Sequence, residues 1–273
     1  MRTLGCLVVL LACTAAHAGP ASNPAFLGIG LQDANRTTPC MVDKITKGSG
    51  AQEAGLREND MILALDGVAT PHCDELKAAI VVHPAGDRIR LDVHRFNVAT
   101  KLVINVTLSS RAEILHRRFV GQPLELGELA DVDDQKRTYD SSDLRGTTSV
   151  LGWFILDSCT RCSQLFERVA DAIAAHRVDR APFMLAVTAS HNGDAKHFRG
   201  SYTSRVPLAV AENLQTLNDF ALNDGERVSF MVIDCRGVVR FVTPIASDAD
   251  DLDAAVDEVL AAVDQAEYAR TRR

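Results

Sequence analysis

The stretch SVLGWFILDSCTRCSQLFERVADAIAAH, residues 149–176, places two cysteines where an apolar run meets a helical one. The run 149–156 predicts a buried strand, and apolar residues that recur every three or four positions predict a helix over 163–176. Cys159 would lie in the first turn of that helix, with Cys162 one turn later on the same face. Because a helix N-terminus stabilises anions, we expect Cys159 to be the nucleophile of the pair.

Three interpretations of this Cys-x-x-Cys pair start out open: a redox centre, half of a metal site, or a structural staple. A zinc site needs two further ligands, and the chain has no second Cys-x-x-Cys and no His pair of the usual spacing. A structural disulfide between residues so close in sequence closes a very short loop and would stabilise the fold little. The spacing therefore favours a redox-active dithiol, and an inert disulfide stays the alternative.

The chain begins MRTLGCLVVLLACTAAHAGPA, with one early Arg, a short apolar stretch and an Ala-x-Ala site ending at Ala18. This pattern predicts a secretory signal peptide over 1–18. Its apolar stretch is shorter than the ~20 residues that span a bilayer, so no integral membrane span is expected. The tetrapeptide ending at Cys13 also resembles a bacterial lipobox, which leaves lipid anchoring through Cys13 as an alternative. We expect a periplasmic protein.

Length, charge and cysteine content narrow the class of protein. A chain of 273 residues predicts two domains. The net charge of −7 argues against a nucleic-acid partner, because phosphate contacts need clustered Lys and Arg. Export favours disulfide formation. Five cysteines follow the predicted signal peptide, and because this number is odd, at least one thiol is left unpaired. We expect Cys235 to be that thiol. No motif indicates a cofactor or a metal.

Residues 26–108 consist of short alternating strands, two brief helices and Gly turns. The run Phe26-Leu27-Gly28-Ile29, followed by ITKGSGAQEAGLRENDMILALDGVAT at 45–70, resembles a PDZ domain of the bacterial HtrA-like type. The resemblance implies a mainly-β domain over 22–110. It also implies that Phe26, Leu27, Gly28 and Ile29 hold the carboxylate of a peptide C-terminus, which adds as a strand beside a groove helix at 74–82. The alternative is a groove filled by a segment of this chain.

The PDZ resemblance also bears on two cysteines. In that fold the groove helix begins near the end of the second strand, which brings Cys73 close to Cys40. We expect either a structural disulfide between them or two independent buried thiols.

After a predicted linker at 111–119, strands alternate with helices. Besides the Cys-x-x-Cys, this part of the chain contains the lead-in VGQPLEL at 120–126, the run SSDLRGTTSVLGWF at 141–154 and the late hairpin SFMVIDCRGVVRF at 229–241. In these features it resembles the thioredoxin superfamily, in its exported thiol-disulfide oxidoreductase or redoxin-like branch. The resemblance implies an α/β fold over 120–270, with a central mixed sheet flanked by helices. It also implies that Cys159 and Cys162 are catalytic.

The chain departs from the thioredoxin pattern beside the cysteines. Asp157-Ser158 stands where the family has an aromatic or Thr-Trp pair, and Val228 occupies the position of the family's cis-proline. Pro207 is the nearest other proline and precedes what is predicted as an earlier strand. Leu156 and Gly152 stand where peroxide-reducing relatives carry Thr and Pro before their cysteine. The Cys-x-x-Cys spacing and the missing late His differ from the copper-delivering relatives.

We therefore expect an exported thiol-disulfide oxidoreductase whose PDZ module recruits the C-termini of partner proteins. The alternative is a non-catalytic periplasmic binding or adaptor protein with a degenerate thioredoxin-like domain. Asp157-Ser158 and Val228 favour that alternative.

Overall fold

The computed structural model of the chain describes residues 25–32, 39–134, 136–155, 159, 161–176, 181–189, 202–211, 227–248 and 251–271. None of the described helices combines the length and the apolar composition needed to cross a bilayer.

A mainly-β unit forms the first part of the chain, as the sequence predicts. Its elements are β1 Ala25–Phe26, β2 Ile29–Gln32, β3 Cys40–Ile45, α1 Gly50–Glu53, β4 Met61–Leu65, β5 Val68–Ala69, α2 Cys73–Val81, β6 Arg88–His94 and β7 Leu102–Thr107. The sheet has the antiparallel order β2-β3-β4-β6-β7, with β5 paired to β4. This order leaves β2 at one edge.

Alternation along β6 and β7 builds the core of this unit. Ile89, Leu91 and Val93 point inward from β6, and their partners Ile104 and Val106 do so from β7. Side chains of period two on paired strands meet on one face, so the sheet buries one side against α2.

The segment 111–119, expected as a linker, is helical. A short strand β8, Ser109–Ser110, pairs with β1, and α3, Arg111–Phe119, follows it directly. Ser110 and Glu113 form a capping box: the Ser110 hydroxyl accepts from the Glu113 N–H at 3.1 Å, and the Glu113 carboxylate accepts from the Ser110 N–H at 2.8 Å. This Ser-x-x-Glu signal is legible in the sequence, and it starts a helix where a hinge was expected.

An α/β unit forms the rest of the described chain. Its elements are β9 Leu129–Asp131, β10 Thr138–Tyr139, β11 Ser149–Trp153, α4 Cys162–Ala175, β12 Phe183–Ala189, β13 Leu208–Ala211, β14 Arg227–Ile233, β15 Val239–Ala246 and α5 Leu252–Thr271. The seven strands run in the order β10-β9-β13-β12-β11-β14-β15. Strands β11, β12 and β13 are parallel and the other pairings are antiparallel, so the sheet is mixed.

Helices cover both faces of this sheet, as expected for a thioredoxin-like fold. Val150 and Phe230 belong to a buried cluster that includes residues of α4 and α5. Leu151 and Met231, the next residues along their strands, belong to a second cluster that includes Ile114 and Leu115 of α3. The sequence also predicts a helix at 214–221, which lies outside the described residues, and it does not predict the β9–β10 hairpin.

Candidate functional site

The Cys-x-x-Cys pair lies beyond the end of β11, a central strand of the mixed sheet. The helix α4 begins at Cys162, because its first hydrogen bond runs from the Leu165 N–H to the carbonyl of the N-cap residue Arg161, at 3.2 Å. The expectation that Cys159 lies in the first helical turn is therefore wrong. Cys159 precedes the helix and lies next to the end that carries unpaired N–H groups.

A disulfide joins Cys159 to Cys162, with 5.5 Å between their Cα atoms. Cys159 is 3% exposed and Cys162 is 0% exposed, and both belong to the buried cluster beneath α4 and α5. Arg161 between them is exposed and makes no side-chain capping bond. A thiolate from outside can reach this disulfide only where its cover moves.

Aromatic rings pack within the cluster that holds the disulfide. The ring centroid of Phe166, on α4, lies 5.1 Å from that of Phe154, 5.4 Å from that of Phe230 and 6.0 Å from that of Tyr202. Burial raises the pKa of the Tyr202 phenol well above its usual range, so this hydroxyl stays protonated.

The segment that carries Tyr202 is fastened to α4 by polar contacts. The Ser204 hydroxyl donates to Glu167 at 2.7 Å, and the Arg205 guanidinium contacts Glu167 at 3.0 Å and Asp171 at 2.6 Å. These contacts hold the segment 202–206 along the helix that begins at Cys162. Sequence reasoning missed them, since nothing in the local pattern pairs residues so distant in the chain.

Val228 lies in β14 and is fully buried in the same cluster as both cysteines. The alternative proline, Pro207, is exposed at the start of β13, and its carbonyl accepts from the Ala186 N–H at 2.9 Å. The position compared with the thioredoxin cis-proline in the sequence analysis therefore carries a β-branched apolar side chain that packs in the cysteine cluster.

Cys235 is a free thiol, partly buried in the turn between β14 and β15. Asp234, beside it, shapes that turn by accepting from the N–H groups of Arg236 and Val238 and from the Arg240 guanidinium.

The four residues predicted to hold a peptide carboxylate bridge β1 and β2. Gly28 has φ +84°, and a Cβ there would lie 2.1 Å from the Ser49 Cβ, so this position requires glycine. The Gly28 carbonyl accepts from Thr46 at 2.8 Å, and the Leu27 carbonyl accepts from Ala51 at 3.2 Å. The loop is held in place through its carbonyls.

The PDZ resemblance places the peptide groove between β2 and α2. An edge strand can accept an added strand, and β2 occupies that place in the sheet order. On the helix side, α2 buries Cys73, Leu76 and Ile80. A disulfide joins Cys73 to Cys40, with 4.7 Å between their Cα atoms.

Comparison with known proteins identifies one module of the chain. Residues 19–94 match the family model of the PDZ domain, so the chain contains a PDZ domain. No curated protein is similar to the chain at a significant level.

Several solved structures are similar to parts of the chain. The HtrA-type protease AlgW with a decapeptide is 17% identical with a TM-score of 0.30, over 32% of this chain and 30% of that one. The HtrA3 PDZ domain bound to the phage-derived ligand FGRWV is 19% identical with a TM-score of 0.28, over 31% of this chain and 85% of that one. A protein described as thiol:disulfide interchange protein DsbE, from Chlorobium tepidum, is 18% identical with a TM-score of 0.40, over 53% of this chain and 99% of that one. The chain thus spans less than a third of the HtrA-type proteases that it matches.

Proposed function

We propose that this protein is an exported thiol-disulfide oxidoreductase whose PDZ domain recruits partner proteins by their C-termini. The observation that carries the proposal is the Cys159–Cys162 disulfide, which lies between a central strand of a mixed sheet and the start of α4. The signal peptide predicted over 1–18 supports a periplasmic location for the proposed exchange.

The reaction starts from the reduced dithiol. The Cys159 thiolate attacks one sulfur of a partner disulfide, a mixed disulfide forms, and the other partner sulfur leaves as a thiolate that takes up a proton. The Cys162 thiolate then attacks the Cys159 sulfur and displaces the second partner sulfur, which is also protonated. The partner gains two electrons and two protons, and the Cys159–Cys162 disulfide seen in the structure is the product.

Burial supports this division of roles between the cysteines. Cys162 has no exposed surface, so an external disulfide meets Cys159 first and Cys162 acts from within the protein. The unpaired N–H groups at the start of α4 favour the Cys159 thiolate. The exposed Arg161 adds positive charge to the same end of the helix.

The PDZ groove supplies the recruiting step. The loop at Gly28 and the edge strand β2 provide backbone groups for a peptide carboxylate and for an added strand. Holding a partner there raises the concentration of its cysteines near the dithiol.

The burial of the disulfide also favours a second candidate function. Cys159 is 3% exposed and Cys162 is 0% exposed, and both belong to the buried cluster that contains Val228. A non-catalytic adaptor with a structural disulfide would show this burial. The reduction potential separates the two functions: catalytic pairs lie between about −120 and −270 mV, and structural disulfides lie below about −300 mV.

The test is titration of the full chain in glutathione buffers with thiol trapping, in which mass spectrometry identifies trapped Cys159 and Cys162, together with an insulin-reduction assay in which dithiothreitol returns the oxidised pair to the dithiol. We expect a potential in the catalytic range and turnover that Cys159→Ser and Cys162→Ser abolish. The matched control is Cys235→Ser, which removes the free thiol and should leave turnover unchanged. A disulfide that resists glutathione at every ratio, with no insulin reduction, would establish the adaptor instead.

Recruitment is tested with the peptide FGRWV carrying an N-terminal fluorophore. Fluorescence anisotropy should show saturable binding that is lost when the peptide C-terminus is amidated, because the amide removes the carboxylate charge. Equal binding of the two peptides would refute recognition of C-termini.

A further inference from the structure

The Cys40–Cys73 disulfide joins the groove helix α2 to β3, the neighbour of the groove strand β2. Cys73 is the first residue of α2, and Cys40 is the first residue of β3, the strand paired with β2. Both residues are buried, and their Cα atoms are 4.7 Å apart. The bond therefore determines how far the helix lies from the strands at this point.

The register of β2 and β3 shows which end of the groove is held. Ile29, next to the carboxylate loop, pairs with Ile45, and Gln32, at the far end of β2, pairs with Met41. Cys40 is the neighbour of Met41. The disulfide therefore lies at the end of the groove remote from the carboxylate loop.

Cys73 is the buried residue at the very start of α2. The N-cap residue before it, His72, makes no side-chain capping bond, and the two residues after it, Asp74 and Glu75, are exposed. From its fourth residue onward the helix is held by the buried Leu76 and Ile80, and it packs against β1, β3 and β4. The residues at the start of the helix are thus held through Cys73 and its disulfide, and the rest of the helix is held by packing.

We propose that the Cys40–Cys73 disulfide is a positioning element for peptide recognition: it holds the first turn of α2 where the upstream residues of a bound C-terminal peptide contact it. This inference rests on the proposed peptide-binding function. A dithiol such as dithiothreitol breaks the bond by becoming a cyclic disulfide itself, and it leaves two protein thiols. Long C-terminal peptides then lose affinity, and short ones keep it.

The magnitude follows from the cost of ordering. A loosened first turn must be ordered again when peptide binds, and this ordering reduces the net free energy of binding. We expect the affinity for FGRWV to fall about three- to tenfold. The tripeptide RWV spans only about 10 Å of added strand from the carboxylate loop, so its affinity should change less than about twofold.

The experiment uses the full chain carrying Cys159→Ala and Cys162→Ala, so that dithiothreitol acts on the Cys40–Cys73 bond. Because both of these cysteines are buried, the bond is reduced in urea, and the urea is then removed in the presence of dithiothreitol. Anisotropy titrations with labelled FGRWV and RWV are run on the oxidised protein, on the reduced protein with thiols counted by alkylation, and after reoxidation. A chain carrying Cys40→Ala and Cys73→Ala is the permanent counterpart. If that variant does not fold, the reversible reduction still decides the question.

Each outcome has a distinct meaning. A reversible loss of affinity for the pentapeptide alone supports the inference. Equal losses for both peptides would show general destabilisation and would overturn it, as would affinities that do not change on reduction. An oxidised protein that binds neither peptide would overturn the recruiting function together with this inference, whereas the other two failures leave recruitment in place.

Discussion

Gly152→Ala is expected to destabilise the unit that carries the dithiol. Gly152 lies in β11, and a Cβ there would lie 2.3 Å from Cε1 of Phe166, 2.6 Å from its Cζ and 3.0 Å from Cγ1 of Val228. Phe166 belongs to α4 and Val228 to β14. Both side chains are buried, so neither can move into solvent to make room for the methyl group. The added methyl group must therefore push the helix away from the sheet.

The expected cost is the difference between two effects. Overpacking a core by a methyl group costs about 1–3 kcal/mol. Replacing Gly by Ala within a strand returns about 0.5–1 kcal/mol, because the unfolded chain loses freedom. The central values of these ranges give a net loss of about 1.3 kcal/mol, which at an m-value of about 2 kcal/mol per molar lowers the urea midpoint by roughly 0.6 M.

The chain provides its own probe for this measurement. Trp153 is the single tryptophan, it is fully buried, and it follows Gly152 in β11. Its fluorescence during urea unfolding reports on this unit alone. The matched control is Gly127→Ala, where a Cβ would meet no atom within 4 Å. Phe166→Leu in the Gly152→Ala background should recover part of the loss, and a Gly152→Ala midpoint equal to that of Gly127→Ala would refute the reasoning.

Three further predictions concern single side chains. On the proposed recruiting function, Gly28→Ala should weaken binding of the probe peptide about tenfold or more in anisotropy titrations, because φ +84° and the contact with Ser49 strain any side chain there. Burial raises the pKa of Asp234, but hydrogen bonds from Arg240 and two backbone N–H groups outweigh burial and lower it. A lowered pKa stabilises the fold above about pH 4 and loses that stability as the pH falls, so Asp234→Asn should cost about 1–3 kcal/mol at pH 7 and flatten the acid limb of a urea-midpoint profile. Ser110→Ala removes the cap of α3 and should cost about 1 kcal/mol in a thermal melt, with the peptide affinity unchanged.

The local pattern of apolar and polar residues was sufficient to predict much of the fold. The alternation of Ile89, Leu91 and Val93 predicts β6 and its inward face, and the helical spacing in 163–176 predicts α4 to within a residue at each end. Each of these elements buries one regular face, so its apolar residues recur with the period of a strand or a helix and can be recognised in the sequence. The PDZ match over 19–94 covers the residues that the resemblance used.

What the sequence missed depends on contacts between distant residues. The hairpin of β9 and β10 is stabilised by the Tyr139 hydroxyl, which donates to Asp131 at 2.6 Å, and neither strand is long enough to show a period. The near-complete burial of Cys159 likewise depends on how the chain packs around it, which spacing cannot predict.

The helix α3 bears directly on how the two proposed sites would work together. On one side, its Arg111 guanidinium lies 4.2 Å above the Phe26 ring, and its Arg117 pairs with Glu53 of α1 at 3.1 Å. On the other side, Ile114 and Leu115 pack into the core of the mixed sheet. A helix that contacts both units cannot act as the free tether that a linker at 111–119 would provide. On the proposed function, selection among partners then depends on the length of chain between a partner's C-terminus and its disulfide, because effective concentration falls to near zero when that length cannot span the sites.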